Sequence, residues 1–178
     1  MVQALDDPHP IRVRGDGPRI PPHNLDAEES LLGAMLLSTD AISIATELLT
    51  ADDFYKPAHG QIFAAISRLY ETGQAADAVT VADELDRAGL AAIGADPAAL
   101  VSLQTNTPSS ANATYYAGIV QELAILRRLI GASGEISDLA YSAPDDVASV
   151  IDSAEQMILD VAERRNAESV RSLGELLH

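Results

Sequence analysis

The chain has no cysteine and no tryptophan, and it has a single lysine, Lys56. Without cysteine there is no disulfide framework and no thiolate metal site, which fits a cytoplasmic protein. Aromatic residues make up only 4%, so Leu, Ile, Val and Ala must build whatever core exists. No apolar run reaches the eighteen or so residues of a membrane span. The first 22 residues carry Arg12, Arg14 and Arg19 but lack the continuous apolar stretch of a signal peptide. Basic residues are also scarce, 11 against 27 acidic, for a formal charge of −16. Such a surface repels phosphate backbones and argues against direct DNA binding by this chain.

Catalytic signatures are missing as well. There is no GxxxxGK[ST] phosphate loop, GxGxxG, HExxH or GxSxG. Of the four histidines, His9, His23, His59 and His178, no two stand at metal-ligand spacing. His59 is read as structural, in the first turn of a helix. The pairs Asp52-Asp53 and Asp145-Asp146 read as caps and solvated turns. The chain is therefore expected to have no catalytic, cofactor-binding or metal residues.

What is present is helix. Hydrophobic residues reach 47%, rich in Ala and Leu, over 178 residues, enough for a core in one domain or two small ones. Residues 1–22, rich in Pro, Gly and Arg, are expected to form a disordered arm. A globular helical domain is expected over 23–108. Its first helix is capped by Asn24 or Asp26 and buries Ala27, Leu31, Ala34 and Met35. Its second points Ile42, Ala45, Leu48 and Leu49 inward. Thr50 caps a single turn through Asp53, with Phe54 and Tyr55 as anchors. The helix after Pro57 carries Ile62, Phe63, Ile66, Leu69 and Tyr70 and ends before Gly73. Thr80 with Asp83 opens a helix with Val81 and Leu85 inward. Asp96-Pro97 opens another with Leu100 and Leu103 inward, stopped by Pro108.

A long helix follows from Ala111 to Ala140, roughly 45 Å at 1.5 Å per residue, started by Ser110 or Asn112. Tyr116, Ile119, Leu123, Leu126 and Ile130 recur at spacings of three and four along it. Leu129, Ile136 and Leu139 form a second, shifted row. After a turn at 141–146, Val147, Ile151, Ala154, Ile158 and Val161 predict another long helix to about Arg165. Two such helices and a tight turn make an antiparallel hairpin over 109–165. An arm that is apolar on two faces needs two packing partners. Hairpin pairing into a homodimer or a symmetric ring supplies the second, with Tyr116, Ile119, Leu123, Leu126, Ile151 and Ile158 as hairpin and dimer packing residues. Folding of the hairpin back onto the globule is the other option. Gly131 and Gly134 either allow close approach of another backbone or mark a bend.

Three blocks then carry a family resemblance: NLDAEESLLGAMLL, DDFYKPAHGQIFAAI and NTPSSANATYYAGIVQELAILRRLI. In this order they resemble the amino-terminal domain of bacterial replicative DNA helicases, the DnaB family. The tail 166–178 is similar to the start of the linker leading to that family's motor domain, and the motor is not in this sequence. The resemblance implies an all-α globule with a hairpin. It implies hairpin dimers forming the collar of a hexameric ring, and primase docking on that collar during replication. ATP, magnesium and DNA unwinding belong to the full-length helicase. A replication initiator or helicase loader is a further partner it allows. By position, Ile130 and Ile136 are candidate primase contacts, with Asp26 and Glu28 as weaker ones. The rival reading is a stand-alone helical dimerisation adaptor without a motor.

Overall fold

The computed structural model describes residues 20–90, 96–142 and 145–175, with side chains described as far as Glu163. The described residues form seven α-helices, two 3-10 turns and no strand. They are α1 (Leu25–Leu37), α2 (Thr39–Leu48), a turn at Ala51–Asp53, α3 (Pro57–Glu71), α4 (Ala78–Arg87), α5 (Pro97–Asn106), a turn at Ser110–Asn112, α6 (Ala113–Tyr141) and α7 (Val147–Glu175).

The helix boundaries follow local chemistry. Asn24 caps α1, its Oδ1 accepting from the Ala27 amide at 3.0 Å. Thr50 and Asp53 form a capping box around the first 3-10 turn, as their spacing predicts. Asp96 caps α5 ahead of Pro97. Gly73 and Gly89 close α3 and α4 at φ 70° and 73°, where a Cβ would be strained. The start of α4 differs from expectation. Its cap is Asp77, which accepts from the Val79 and Thr80 amides, while Thr80 Oγ1 accepts from the Asp77 amide. The predicted Thr80–Asp83 start lies one turn too late, because this capping box runs in the order Asp-x-x-Thr.

The core joins α1–α5 to the first half of α6. Leu31, Leu32, Ala34, Met35, Ile42, Ala45, Phe63, Ile66, Val81, Leu85 and Leu100 are buried in it. Tyr70, expected inside, is exposed at the end of α3. α1 is the hub and packs against α2, α3, α5 and α6. A helix surrounded on several sides must be apolar around most of its circumference, and Leu31 through Leu36 are all buried. Gly33 lets α5 approach: a Cβ there would strike Thr107 Oγ1 and the Leu103 carbonyl, whose carbon would lie at 2.8 Å.

The two long helices form the predicted antiparallel hairpin, but its relation to the globule does not follow the seam. Ala113, Ala117, Val120 and Ala124 are the buried residues of α6, and α6 packs on α1 and α2. That face is built from small residues, so the large-residue row missed it. The seam Tyr116–Ile130 lies on another side: Tyr116 and Ile119 lean on the core, whereas Leu126 and Ile130 are exposed. The hairpin therefore has globular cover over its first half only. α6 starts at Ala113 after a 3-10 turn, without the expected side-chain cap from Ser110 or Asn112. α7 continues as helix to Glu175, ten residues past the expected end. Of the expected arm, residues 1–19 lie outside the described residues, while Ile20–Pro22 form no regular element and the Pro22 carbonyl accepts from Arg127 of α6.

Two outcomes follow. Gly33→Ala should destabilise the chain by about 1–3 kcal/mol despite its better helix propensity, because overpacking against a backbone outweighs it; the midpoint of urea unfolding checks this. The hydrogen bond from the Thr80 amide holds the Asp77 carboxyl below the usual aspartate range. A lowered folded pKa gives stability that is present above the unfolded value and lost as pH falls through the folded one. Asp77→Ala should therefore cost about 1 kcal/mol at neutral pH, and the difference should shrink as pH falls from about 4 through the lowered folded value.

Candidate interaction surfaces of the hairpin

The base of the hairpin is fixed by polar groups. Asp53, buried at the end of its 3-10 turn, accepts from the Thr50 amide at 2.7 Å and from Thr50 Oγ1 at 3.0 Å. Its other oxygen takes Arg128 of α6. Arg127 beside it donates to the Asp53 carbonyl and, at 2.8 Å, to the Pro22 carbonyl. Its guanidinium lies 5.9 Å from the centre of the Tyr55 ring. His23 stacks on the same ring at 4.1 Å with an 11° tilt. Burial pushes Arg127 below the usual arginine value, opposed by Glu28 and Tyr55; with so high a starting point it keeps its charge. One arginine doublet thus ties α6 to both the Asp53 turn and the segment entering α1. Asp53 is thus a cap, as expected, but not a solvated one: it is buried and ion-paired with the partly exposed Arg128. The doublet inside the otherwise apolar stretch Leu123–Ile130 was the available signal.

A second buried polar group lies nearby. Glu28 is 1% exposed. Its carboxylate accepts from the Tyr55 amide at 2.6 Å and the Lys56 amide at 3.4 Å, and His59 Nδ1 lies 2.8 Å away. It therefore staples α1 to the start of α3, where the amides ahead of the helix have no other partner. His59 is structural here, as expected. Glu28 is not a surface residue, which removes it as a partner contact; Asp26, two residues earlier, is exposed at the α1 terminus. The helical period alone could not place Glu28 inside, because an acidic residue in the first turn is normally solvated.

Beyond Arg128 the arms pack only on each other. Leu139 of α6 meets Met157 of α7 across a shallow cleft. Ile125, Ile136 and Leu139 are half-buried on one arm, and Val150, Ala154, Met157 and Val161 on the other. Ile136 thus belongs to the inter-arm row, and only Ile130, 55% exposed, stands free. On α7 the sequence row splits. Ala154 and Val161 turn inward, whereas Val147, Ile151 and Ile158 are exposed, with Ile151 at 53%. Leu126, Ile151 and Ile158 therefore do not hold the arms together. Val150 and Met157, one position before Ile151 and Ile158, are the half-buried residues, a turn of about 100° around the helix axis. Each arm carries an apolar row that nothing in the described chain covers: Leu126, Leu129 and Ile130 on α6, and Val147, Ile151, Ile158 and Leu159 on α7. Among the described residues no group of acidic residues and histidines is arranged to hold a metal, and no helix is long and apolar enough to cross a membrane.

A globule of short helices continued by a long hairpin is a specific architecture, and residues 20–122 match the family model for the DnaB-like helicase N-terminal domain. The chain belongs to that family. It is 50% identical over 162 residues to the replicative DNA helicase DnaB of Mycobacterium leprae, covering 89% of this chain and 27% of that protein. To the replicative DNA helicase DnaC of Bacillus subtilis it is 36% identical over 159 residues, covering 35% of that protein. The chain thus spans about a third or less of the curated relatives it matches. The crystal structure of the N-terminal domain of DnaB helicase from Mycobacterium tuberculosis superposes with a TM-score of 0.75 at 48% identity, covering 79% of this chain and 99% of that one. The all-α fold and the family read from the three sequence blocks are therefore correct.

The buried carboxylate gives a direct test. Glu28→Ala leaves two amides and an imidazole without their acceptor. It should lower stability by about 3 kcal/mol or more, read from chemical unfolding. A residue that only contacted a partner would instead leave the unfolding midpoint unchanged.

Proposed function

We propose that this chain is a non-catalytic assembly and docking domain of a replicative DNA helicase. Its hairpins pair between copies into the dimers of a ring collar, and the collar receives primase. The observation that carries this is the pair of uncovered apolar rows on α6 and α7, exposed beyond the point where the globule stops. Burying such rows against a second copy removes water from several large aliphatic side chains on each side, at about 25 cal/mol per Å². A long two-helix surface also suits two-fold self-complementary pairing. Family membership supports the collar role, since the relatives are replicative helicases. Unwinding with ATP and magnesium would fall to a motor, which this sequence does not contain.

Within the proposal Ile130 keeps its role as a partner contact, being exposed where α6 leaves the globule. Asp26 remains a weaker candidate at the edge of the same base. Ile136 belongs to inter-arm packing. Leu126, Ile151 and Ile158 become contacts between copies. Gly131 and Gly134 lie on the uncovered half, and a Cβ on either would meet nothing within 4 Å in this chain. The domain limits proposed are a globule to about residue 108 and a hairpin to residue 165, with a linker on the continuation of α7.

Light scattering at micromolar concentration should give a dimer or larger. Leu126→Asp with Ile151→Asp should shift it to monomer with helical circular dichroism retained, because neither side chain is buried in the single chain. A monomeric parent, or a double variant that still dimerises, would refute hairpin pairing. Calorimetric titration with the carboxy-terminal domain of primase should show saturable binding, weakened severalfold by Ile130→Ala. Binding that Ile130→Ala leaves unchanged would move the primase contact elsewhere.

A further inference from the structure

A cleft of about 350 Å³ opens between α1, α3 and α5, on the globule and away from the hairpin rows. Ile62, Leu100 and Leu103 form its apolar floor, and Glu29, Lys56 and His59 line its polar side. His59 is 3% exposed. Its Nδ1 is committed to Glu28, which as a carboxylate can only accept, so Nδ1 carries the proton. In the neutral ring Nε2 is then a fixed acceptor. No hydrogen bond is made to it among the described residues, and Glu29 Oε1 lies 3.9 Å away. The cleft thus presents two acceptors side by side above an apolar floor.

We infer that this cleft binds an arginine side chain from a basic segment of a partner protein. The guanidinium would donate to His59 Nε2 and Glu29 together, since its forked donors can reach two acceptors that a single hydroxyl would not. Its alkyl stem would lie on Ile62, Leu100 and Leu103. A formal charge of −16 favours approach of a basic partner. Lys56 does not turn the cleft into an anion site: its side chain is exposed and makes no ion pair among the described residues, whereas the half-exposed Glu29 carboxylate stands 3.9 Å from His59 Nε2 and repels anions there. The site is independent of hairpin pairing, because no residue of α6 or α7 lines it.

The test uses the whole chain with its histidine rings labelled with nitrogen-15, titrated with N-acetyl-argininamide. A saturable shift of the His59 Nε2 resonance is expected, weakened about fivefold by Glu29→Gln, the loss of one half-exposed charge contact. N-acetyl-norleucinamide, with the stem but no guanidinium, should leave the resonance in place. No saturable shift, an equal response to the norleucine probe, or an unaltered response in Glu29→Gln would each overturn the inference. A response to inorganic phosphate instead would make the cleft an anion site and overturn it too. Binding that appears only after residues 1–19 are deleted would assign the cleft to the chain's own Arg12, Arg14 or Arg19 rather than to a partner.

Discussion

The constraint on which the molecule depends is where α6 stops being small. Ala113, Ala117, Val120 and Ala124 let α1 and α2 come close along the first half of the helix. After Ala124 that face continues through Arg127 and Arg128, whose guanidinium groups end the apolar contact and bind Asp53 and Pro22 instead. From there on the helix has left the globule. Its remaining length is a cantilever that only α7 covers, and that cover is one-sided. The uncovered rows are consequences of this division. Had the alanine stripe continued to Tyr141, the globule would have had to extend with it, and no free arm would exist.

The buried charges belong to the same design. Asp53 and Glu28 are both taken out of water, which is costly for a carboxylate, yet each is surrounded by donors. Both sit around the loop that joins the 3-10 turn to α3. That loop therefore connects three parts by polar bonds: α1 through Glu28, α3 through His59, and α6 through Arg127 and Arg128. Polar bonds are directional where apolar packing is not. An apolar contact alone would allow the long lever of the hairpin to pivot; a few degrees at its base become about 1–2 Å at Tyr141, about 20 Å beyond Arg128 at 1.5 Å per residue. For the pairing of hairpins proposed above, fixing that angle keeps the copies in register.

This division of labour fits the assembly and docking role proposed above. The globule supplies a rigid base and an acidic surface, and the hairpin supplies apolar area held away from it. The negative charge discourages contact with phosphate backbones and favours basic protein partners. In the proposed pairing the apolar rows would provide the affinity that charge alone, screened by salt, does not. The α1–α3–α5 cleft and the α1 terminus are separate from the α6 and α7 rows, whereas Ile130 belongs to the α6 row, so the proposed pairing and the proposed primase contact share surface there.

The amino-acid sequence by itself determined the helices, most of their caps, the core of the globule and the existence of a hairpin. These depend on periodicity, on Asn24, Asp96, Gly73 and Gly89, and on local bonding within a few residues. Three family blocks were also legible without coordinates. Which face of each long helix is buried was decided only by the tertiary structure. Large residues such as Leu126, Ile130, Ile151 and Ile158 give the stronger periodic signal. Close packing on the globule nevertheless selected alanines and one valine, because a helix can approach a neighbour closely only through small side chains. The burial of Glu28 and Asp53 was likewise hidden, since their partners, His59, the Tyr55 amide and Arg128, stand some 30 to 75 residues away. A carboxylate's place inside or outside is settled by donors that only folding brings to it.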